Sequence, residues 1–488
     1  MKKIILFFFV LFFLTNCSFD NKSGIWSGDT KKQVSNPKDP KSKDIGKLTK
    51  NRKFKLACAF IKSRKEFEEC QTGITKGIQG KVLEVVFSET KLFDEEKNVS
   101  LTTKINIEPA TKNRDWQEKY LNSSNNISNI FYSNQKEIIL KSSKLSKKYN
   151  DGNAIIYNGN FISYDHRGSI YVYSPKVKKK IFEYNFYKKN YKKYNKKINL
   201  IINNGVIYAA DNLGYLYAIS ISERKILWAQ NYGIPFRSNI KIIKNQIIVS
   251  NQDNIIYSIN KIDGEKNWQL ATSYTFLKSD FQNNILIDKI NKNILFINTS
   301  GELYSINYEN RKINYMLNFN SFALGGGSDL FQGLPISLKD GNLLASTGSV
   351  LLNYDAQTAT RKWVSQVSVK IKPIITENNI FLITKNKLLV CLDLKTGQVL
   401  WSKKIYGQVD NIKEKKRNDK LGSAKDLIIS GNELLILTTN GFLLSFNYKN
   451  GKLISSKKIS RSKIASRFTF AEGKMFLMNN SNKLVIYR

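Results

Sequence analysis

From Tyr171 to Val485 the chain repeats one pattern of apolar and polar positions. In LYAISISERKILW (216–228), and again in LVCLDLKTGQVLW (389–401), an alternating apolar run passes through a polar turn and closes on Trp. The residue aligned with Val390 recurs as Tyr171, Tyr217, Tyr257, Tyr304, Leu352, Leu444 and Val485. A second short apolar run stands before these landmarks, as in GVIYAA, NQIIVSN, NILFIN, NIFLIT, NELLILT and GKMFLMN. Asn, Asp and Gly punctuate the two, as in Ala210-Asp211-Asn212-Leu213-Gly214. Period-two alternation bounded by turn residues predicts short strands buried on alternate faces.

A unit of about 45 residues built from four such strands is a propeller blade. One blade cannot bury both of its faces, and packing side by side around a ring buries them. The landmarks therefore predict an all-β fold, an eight-bladed β-propeller. Eleven positions after the landmark stands a bulky residue: Phe182, Trp228, Trp268, Tyr315, Trp363 or Trp401, with Ser455 in the seventh copy. Trp228, Trp268, Trp363 and Trp401 are expected to wedge between neighbouring blades, a packing role. The eighth copy stops after its central strands, so the ring needs an outer strand from elsewhere. Residues 136–150, KEIILKSSKLSKKYN, are placed to supply it and to remove an exposed sheet edge. Residues 406–426 lengthen the link between the sixth and seventh copies as a charged, solvated loop.

The N-terminus adds a location. Lys2 and Lys3 precede an apolar run, Ile4 to Leu14, that suits an export signal and is too short to span a bilayer. It ends at Leu14-Thr15-Asn16-Cys17, which resembles a lipobox with Cys17 as the lipidated residue, although Asn16 replaces the usual small residue. Ser18 follows in place of the Asp that retains lipoproteins at the inner membrane, so the periplasmic face of the outer membrane is expected. Residues 1–17 then form the signal, 18–50 a polar tether with Pro37 and Pro40, 51–108 an extra module or elaborated tether, and 109–488 the propeller.

Composition narrows the chemistry. The formal charge of +39 points to an anionic partner or to a Lys-, Asn- and Ile-rich composition, and the basic residues are scattered along the chain. An exported chain is not expected to meet nucleic acid. The single histidine, His166, excludes a multi-histidine metal site, and in Tyr-Asp-His-Arg-Gly it reads as a turn. Cys58 and Cys70 are spaced to bridge in an oxidising compartment, whereas Cys391 lies inside a strand as a small hydrophobe.

Blades reading LYxIxxxxGxxxW resemble the PQQ-like β-propeller repeat. Together with the signal and tether, residues 110–488 resemble the BamB family of outer-membrane assembly lipoproteins. The resemblance implies a scaffold, not an enzyme, with no cofactor. Its implied partners are the POTRA domains of a BamA-like barrel-inserting subunit, other BAM subunits and unfolded outer-membrane proteins. The family's contact loops before the fourth and fifth blades match SYTFLKSDFQNN and GGGSDLFQGLP. Leu277 and Lys278 stand where the family has Leu-Arg, and Asp329 stands for the first of two Asp residues before Pro335. Lys278 is a point charge, not a bidentate fork, and Phe331 and Gln332 fill the place of the second Asp.

Two other classes share the fold. A quinoprotein dehydrogenase would carry adjacent cysteines and a Ca²⁺-ligand cluster, and neither is recognisable. Gly325-Gly326-Gly327 lacks the Lys-Ser/Thr of a phosphate loop, and Glu302 and Asp393 fall in or beside blade turns. A propeller that binds another envelope component or an anionic polymer is the remaining alternative.

Overall fold

The computed structural model describes residues 93–100, 103–146, 154–187, 191, 194–276, 281–320, 330–409 and 414–488, with the backbone of two short strands near the N-terminus. Those strands, Cys17–Phe19 and Trp26–Gly28, pair antiparallel in a unit that ends at Val85, and a second unit starts at Val86.

In the second unit the described residues form eight four-stranded antiparallel sheets, each a blade. Blade 1 runs Ile155–Tyr157, Asn160–Tyr164, Ser169–Ser174 and Lys179–Asn185. Blade 2 begins with Ile198–Asn203, blade 3 with Lys241–Ile243, blade 4 with Asn284–Asp288, and blade 5 with Ser337–Lys339. Blades 6 and 7 begin with Val369–Ile375 and Ala424–Ser430. Blade 8 has three strands of its own, Thr469–Ala471, Lys474–Met478 and Lys483–Tyr487. Its fourth is Ile138–Lys144, antiparallel to Lys483–Tyr487, with Lys141 opposite Val485. The clasp expected within 136–150 is therefore present. First strands of most neighbouring blades touch, including those of blades 8 and 1, so they line a central channel and the ring is closed.

Each hydrophobic cluster lies between blades. Ile170, Val172 and Phe182 of blade 1 meet Leu200, Ile207 and Tyr217 of blade 2. Trp401 and Phe381 of blade 6 meet Leu434, Leu444 and Phe446 of blade 7. Second and third strands are buried almost throughout, as in Asn379–Thr384 and Leu388–Asp393, because both faces carry apolar side chains. Fourth strands alternate exposed and half-buried residues, as in Lys225–Asn231. A polar residue caps the turn between second and third strands. Asp211 Oδ1, for example, accepts the N–H groups of Leu213 and Tyr215.

The landmark spacing has a geometric cause. In blades 2, 5 and 6 the indole Nε1 of Trp228, Trp363 and Trp401 donates to the backbone oxygen of Lys261, Leu394 and Tyr448 in the next blade, at 3.1, 2.9 and 3.2 Å. Each indole lies flat on a glycine of that blade. A Cβ on Gly264, Gly397 or Gly451 would come within 2.5, 2.7 and 2.5 Å of the ring. In blade 4, Tyr315 donates its hydroxyl to Ala356 O at 2.6 Å, and the residue at the glycine position is Ala359. Opposite Trp268 the glycine position holds Arg311, and a depression of about 360 Å³ opens beside the half-buried indole. A bulge in the third-to-fourth strand pairing, such as that between Cys391 and Leu392, precedes these residues and aims them at the neighbour.

The charged loop expected over 406–426 contains an eight-residue helix, Glu414–Leu421. Its residues favour helix. Gly422 ends it with φ +75°, and Leu421 anchors it fully buried in the core between blades 6 and 7.

Candidate functional site: a plugged channel and a loop face

Residues 113–133 make a circuit of one mouth of the channel and bond to every blade in order. Asn113 Nδ2 donates to Phe470 O of blade 8 at 2.6 Å. Trp116 exchanges backbone bonds with Ile156 of blade 1, and Gln117 O accepts Ile202 N of blade 2. Lys241 of blade 3 donates to Glu118 Oε2 and Asn122 O at 2.5 and 2.7 Å. Ser123 O and Ser124 O accept the N–H groups of Ile287 and Leu338, from blades 4 and 5. The Asn126 amide pairs with both backbone groups of Ile375 in blade 6. Ile130 N donates to Ile429 O of blade 7, and Ser133 N returns to Gly473 O of blade 8.

The plug is polar because its partners are backbone groups at the ends of eight short strands. Asn125 takes φ +57° and turns its amide into the channel, where it donates to Asn284 Oδ1 and Ile285 O at 3.1 Å each. The Glu118–Lys241 pair is buried, with the lysine side chain 1% exposed. Burial pushes the Glu118 carboxyl up and the Lys241 ammonium down, and their mutual attraction opposes both shifts. Between the plug and blades 6 to 8 a cavity of about 50 Å³ remains.

The opposite face carries the links from each fourth strand to the next first strand. Leu277, Lys278 and Asp329 fall in the links before blades 4 and 5 and lie outside the described residues, as do Cys58, Cys70 and Gly325 to Gly327. The flanks of both links are described. Tyr274 and Phe276, before the first stretch, are 63% and 87% exposed, and Leu330, directly after Asp329, is 45% exposed. Behind them Phe281 and Phe331 meet edge to face at 5.1 Å and join the roots of the two links. Phe331 in turn lies on Gly301 of blade 4, whose added Cβ would come within 2.5 Å. Exposed apolar side chains on a rigid base are what a docking surface requires. Sequence reading missed Tyr274, Phe276 and Leu330, although Phe276 and Leu330 adjoin residues it singled out and Tyr274 lies in the same stretch.

The other candidates are structural. His166 sits in the Asp165–Gly168 turn, with its backbone oxygen accepting Lys196 N. Asp393 caps a turn through Thr396, and Glu302 accepts from Asn298 and Tyr304. Cys391 is fully buried, and burial pushes its thiol well above the usual range. Cys17 lies in the strand Cys17–Phe19, with its side chain outside the described residues. Among the described residues no cluster of His, Cys, Asp and Glu is built to hold a metal ion.

A closed ring of eight such blades, pegged by aromatics at one repeat position, defines a PQQ-like β-propeller. The family described as Outer membrane protein assembly factor BamB matches residues 192–403 and 328–487. That is more than half of the chain, and the chain belongs to this family. It is similar to the BamB of Yersinia pestis, 20% identical over 275 residues, covering 51% of this chain and 63% of that one, just under two thirds of the relative's length. It is also similar to the BamB of Shewanella oneidensis, 18% identical over 348 residues, covering 60% of this chain and 85% of that one. The crystal structure of BamB from Moraxella catarrhalis shares the fold, with a TM-score of 0.58 at 15% identity, over 72% of this chain and 99% of that one. So does quinohemoprotein alcohol dehydrogenase from Comamonas testosteroni, with a TM-score of 0.59 at 8% identity, over 78% and 81% of the two chains.

Proposed function

We propose that this chain is a non-catalytic scaffold lipoprotein of outer-membrane β-barrel assembly. It is anchored through Cys17 to the periplasmic face of the outer membrane. The links before blades 4 and 5 dock on the POTRA region of the barrel-inserting subunit, where Phe276 and Leu330 supply apolar contact and Lys278 and Asp329 supply charge. The observation that carries this reading is the family match over residues 192–403 and 328–487. The exposed Tyr274 and Phe276 beside the first link and Leu330 beside the second support the choice of face. The plug supports a non-enzymatic role, because among the described residues it occupies one mouth of the channel, and the cavity beside it, about 50 Å³, is small against the roughly 300–1,000 Å³ of a small-molecule site.

Co-purification of the full chain from its native envelope tests the docking. The barrel-inserting subunit is expected to co-purify with the native chain, and Phe276→Ser or Lys278→Glu is expected to reduce its recovery at least tenfold. Full recovery with both variants overturns the choice of face. Absence of the subunit from the native preparation overturns the function. The charge of +39 favours one second reading, an anionic envelope polymer as ligand. Salt-sensitive capture of such a polymer without the subunit is its signature.

A further inference from the structure

The channel is divided by what the plug brings to it. On the side of blades 3 and 4 the plug meets amides: Asn125 bonds Asn284, and Asn284 bonds Asn239 at 3.2 Å. The Glu118 carboxylate of the plug is taken up on that side by Lys241. On the side of blades 6 to 8 the neighbours are ionic. Lys372 and Asp426 lie within the first strands of blades 6 and 7, and Arg467 lies just before that of blade 8. The plug adds Lys119 to them, with Trp116, Tyr120 and Ile127 as apolar walls.

Three cations and one carboxylate thus line the cavity of about 50 Å³. Among the described residues none of the three cations forms an ion pair with Asp426, whose oxygens accept the backbone N–H groups of Leu427 and Phe468 at 3.2 and 2.9 Å. Lys372 Nζ has only long contacts, 3.3 Å to Ser337 Oγ and 3.4 Å to Pro373 O, and Lys119 Nζ reaches Gln282 Oε1 at 3.4 Å. Burial and neighbouring positive charge bring both lysines down to about 8, so both are still charged at neutral pH. An excess of positive charge in a half-dry pocket is costly without a counter-ion.

We propose that this cavity is a binding site for a compact oxyanion of the phosphate class, held by Lys119, Lys372 and Arg467 above the floor formed by the plug. Arg467 is exposed and marks the route of entry, while the two half-buried lysines supply the inner contacts. The volume admits a free ion and not a nucleotide or a lipid headgroup. Arg467 lies in the link before blade 8, whereas the docking proposal uses the links before blades 4 and 5, so the two proposals share no residue and stand independently.

The test is a titration of the full chain in detergent with inorganic phosphate at pH 7, at ionic strength held constant with sodium chloride, read by calorimetry and by thermal midpoint. Saturable binding that chloride does not reproduce is expected. Lys372→Gln and Arg467→Gln should each weaken it at least tenfold. Asp426→Asn removes the opposing negative charge and should tighten it several-fold, an effect no loss of structure produces. Lys266→Gln, exposed on the outer strand of blade 3, should leave it unchanged. Because Arg467 is exposed, Arg467→Gln keeps the fold and carries the test should Lys372→Gln unfold. Phosphate acting no better than chloride, native-like binding by Arg467→Gln, or weakening by Asp426→Asn would each overturn the proposal.

Discussion

Replacing Gly397 by Ala isolates the contact that spaces the repeat. Two costs act together. The residue sits at φ +73°, and an Ala Cβ there would stand 2.7 Å from the Trp363 ring. Left-handed backbone costs an L-residue about 1–2 kcal/mol. Overpacking a well-filled site costs about 1–3 kcal/mol. The equivalent position of the other blades apportions the two: Arg224, Arg311, Ala359 and Lys178 hold φ of 56°, 64°, 59° and 55° without glycine. The backbone is therefore tolerated, and the clash with the indole decides. Gly397→Ala should cost about 2–4 kcal/mol in all, a fall of several degrees in thermal midpoint. Trp363→Tyr should recover much of it, because Tyr315 over Ala359 is the same pairing already present between blades 4 and 5. A double-mutant cycle by calorimetry should give a coupling of about 1–2 kcal/mol. If Gly397→Ala costs as much in the Trp363→Tyr background as in the native chain, the clash is not the cause and the reasoning fails.

Other expectations follow from burial and charge. Trp401→Ala removes a fully buried side chain and strands Tyr448 O, so it should cost about 3–5 kcal/mol, whereas Trp268→Ala beside its open depression should cost less than half as much in the same melt. Glu118→Gln leaves Lys241 buried beside a neutral partner and should destabilise by about 3–5 kcal/mol, while Glu118→Leu combined with Lys241→Met should avoid most of that loss in denaturant titrations. Burial lowers Lys372 to about 8 in the folded chain, against 10.5 when exposed, so the unfolded chain binds the extra proton between these values and stability from this group rises with pH across that window. Lys372→Met should accordingly raise the thermal midpoint at pH 7, and the gain should shrink toward pH 10.5. A gain independent of pH would show that packing, not charge, is responsible.

The blades were legible because their evidence is local. Alternation places Tyr217, Tyr257 and Val390 in third strands, and a fixed interval places Trp228, Trp268 and Trp401 in fourth strands. The clasp Ile138–Lys144 was legible by subtraction, from a last blade short of one strand. First strands left a weak mark, since Lys241–Ile243, Ser337–Lys339 and Thr469–Ala471 are three residues long. The plug left none. NRDWQEKYLNSSNNISN has no apolar period, and its amides acquire meaning only from carbonyl and N–H groups on distant blades. The loop face was legible as a position through the family resemblance. Its exposed aromatics were not, because exposure of Phe276 is a property of the fold and not of the residue.

The circuit of residues 113–133 also sets an order of assembly. Asn113 is synthesised before every blade, yet its bond to Phe470 spans 357 positions. Ser142 in the clasp waits equally for Leu484, 342 positions on. Contacts of such sequence separation are slow to form, because the closure entropy of the whole ring is lost before they contribute. The stretch made first is therefore completed last. Until blade 8 arrives, both ends of the circuit, Asn113 and Ser133, lack their partners Phe470 and Gly473. Its arrival ties the two ends to one blade, so the ring should open and shut as a single cooperative unit and not blade by blade.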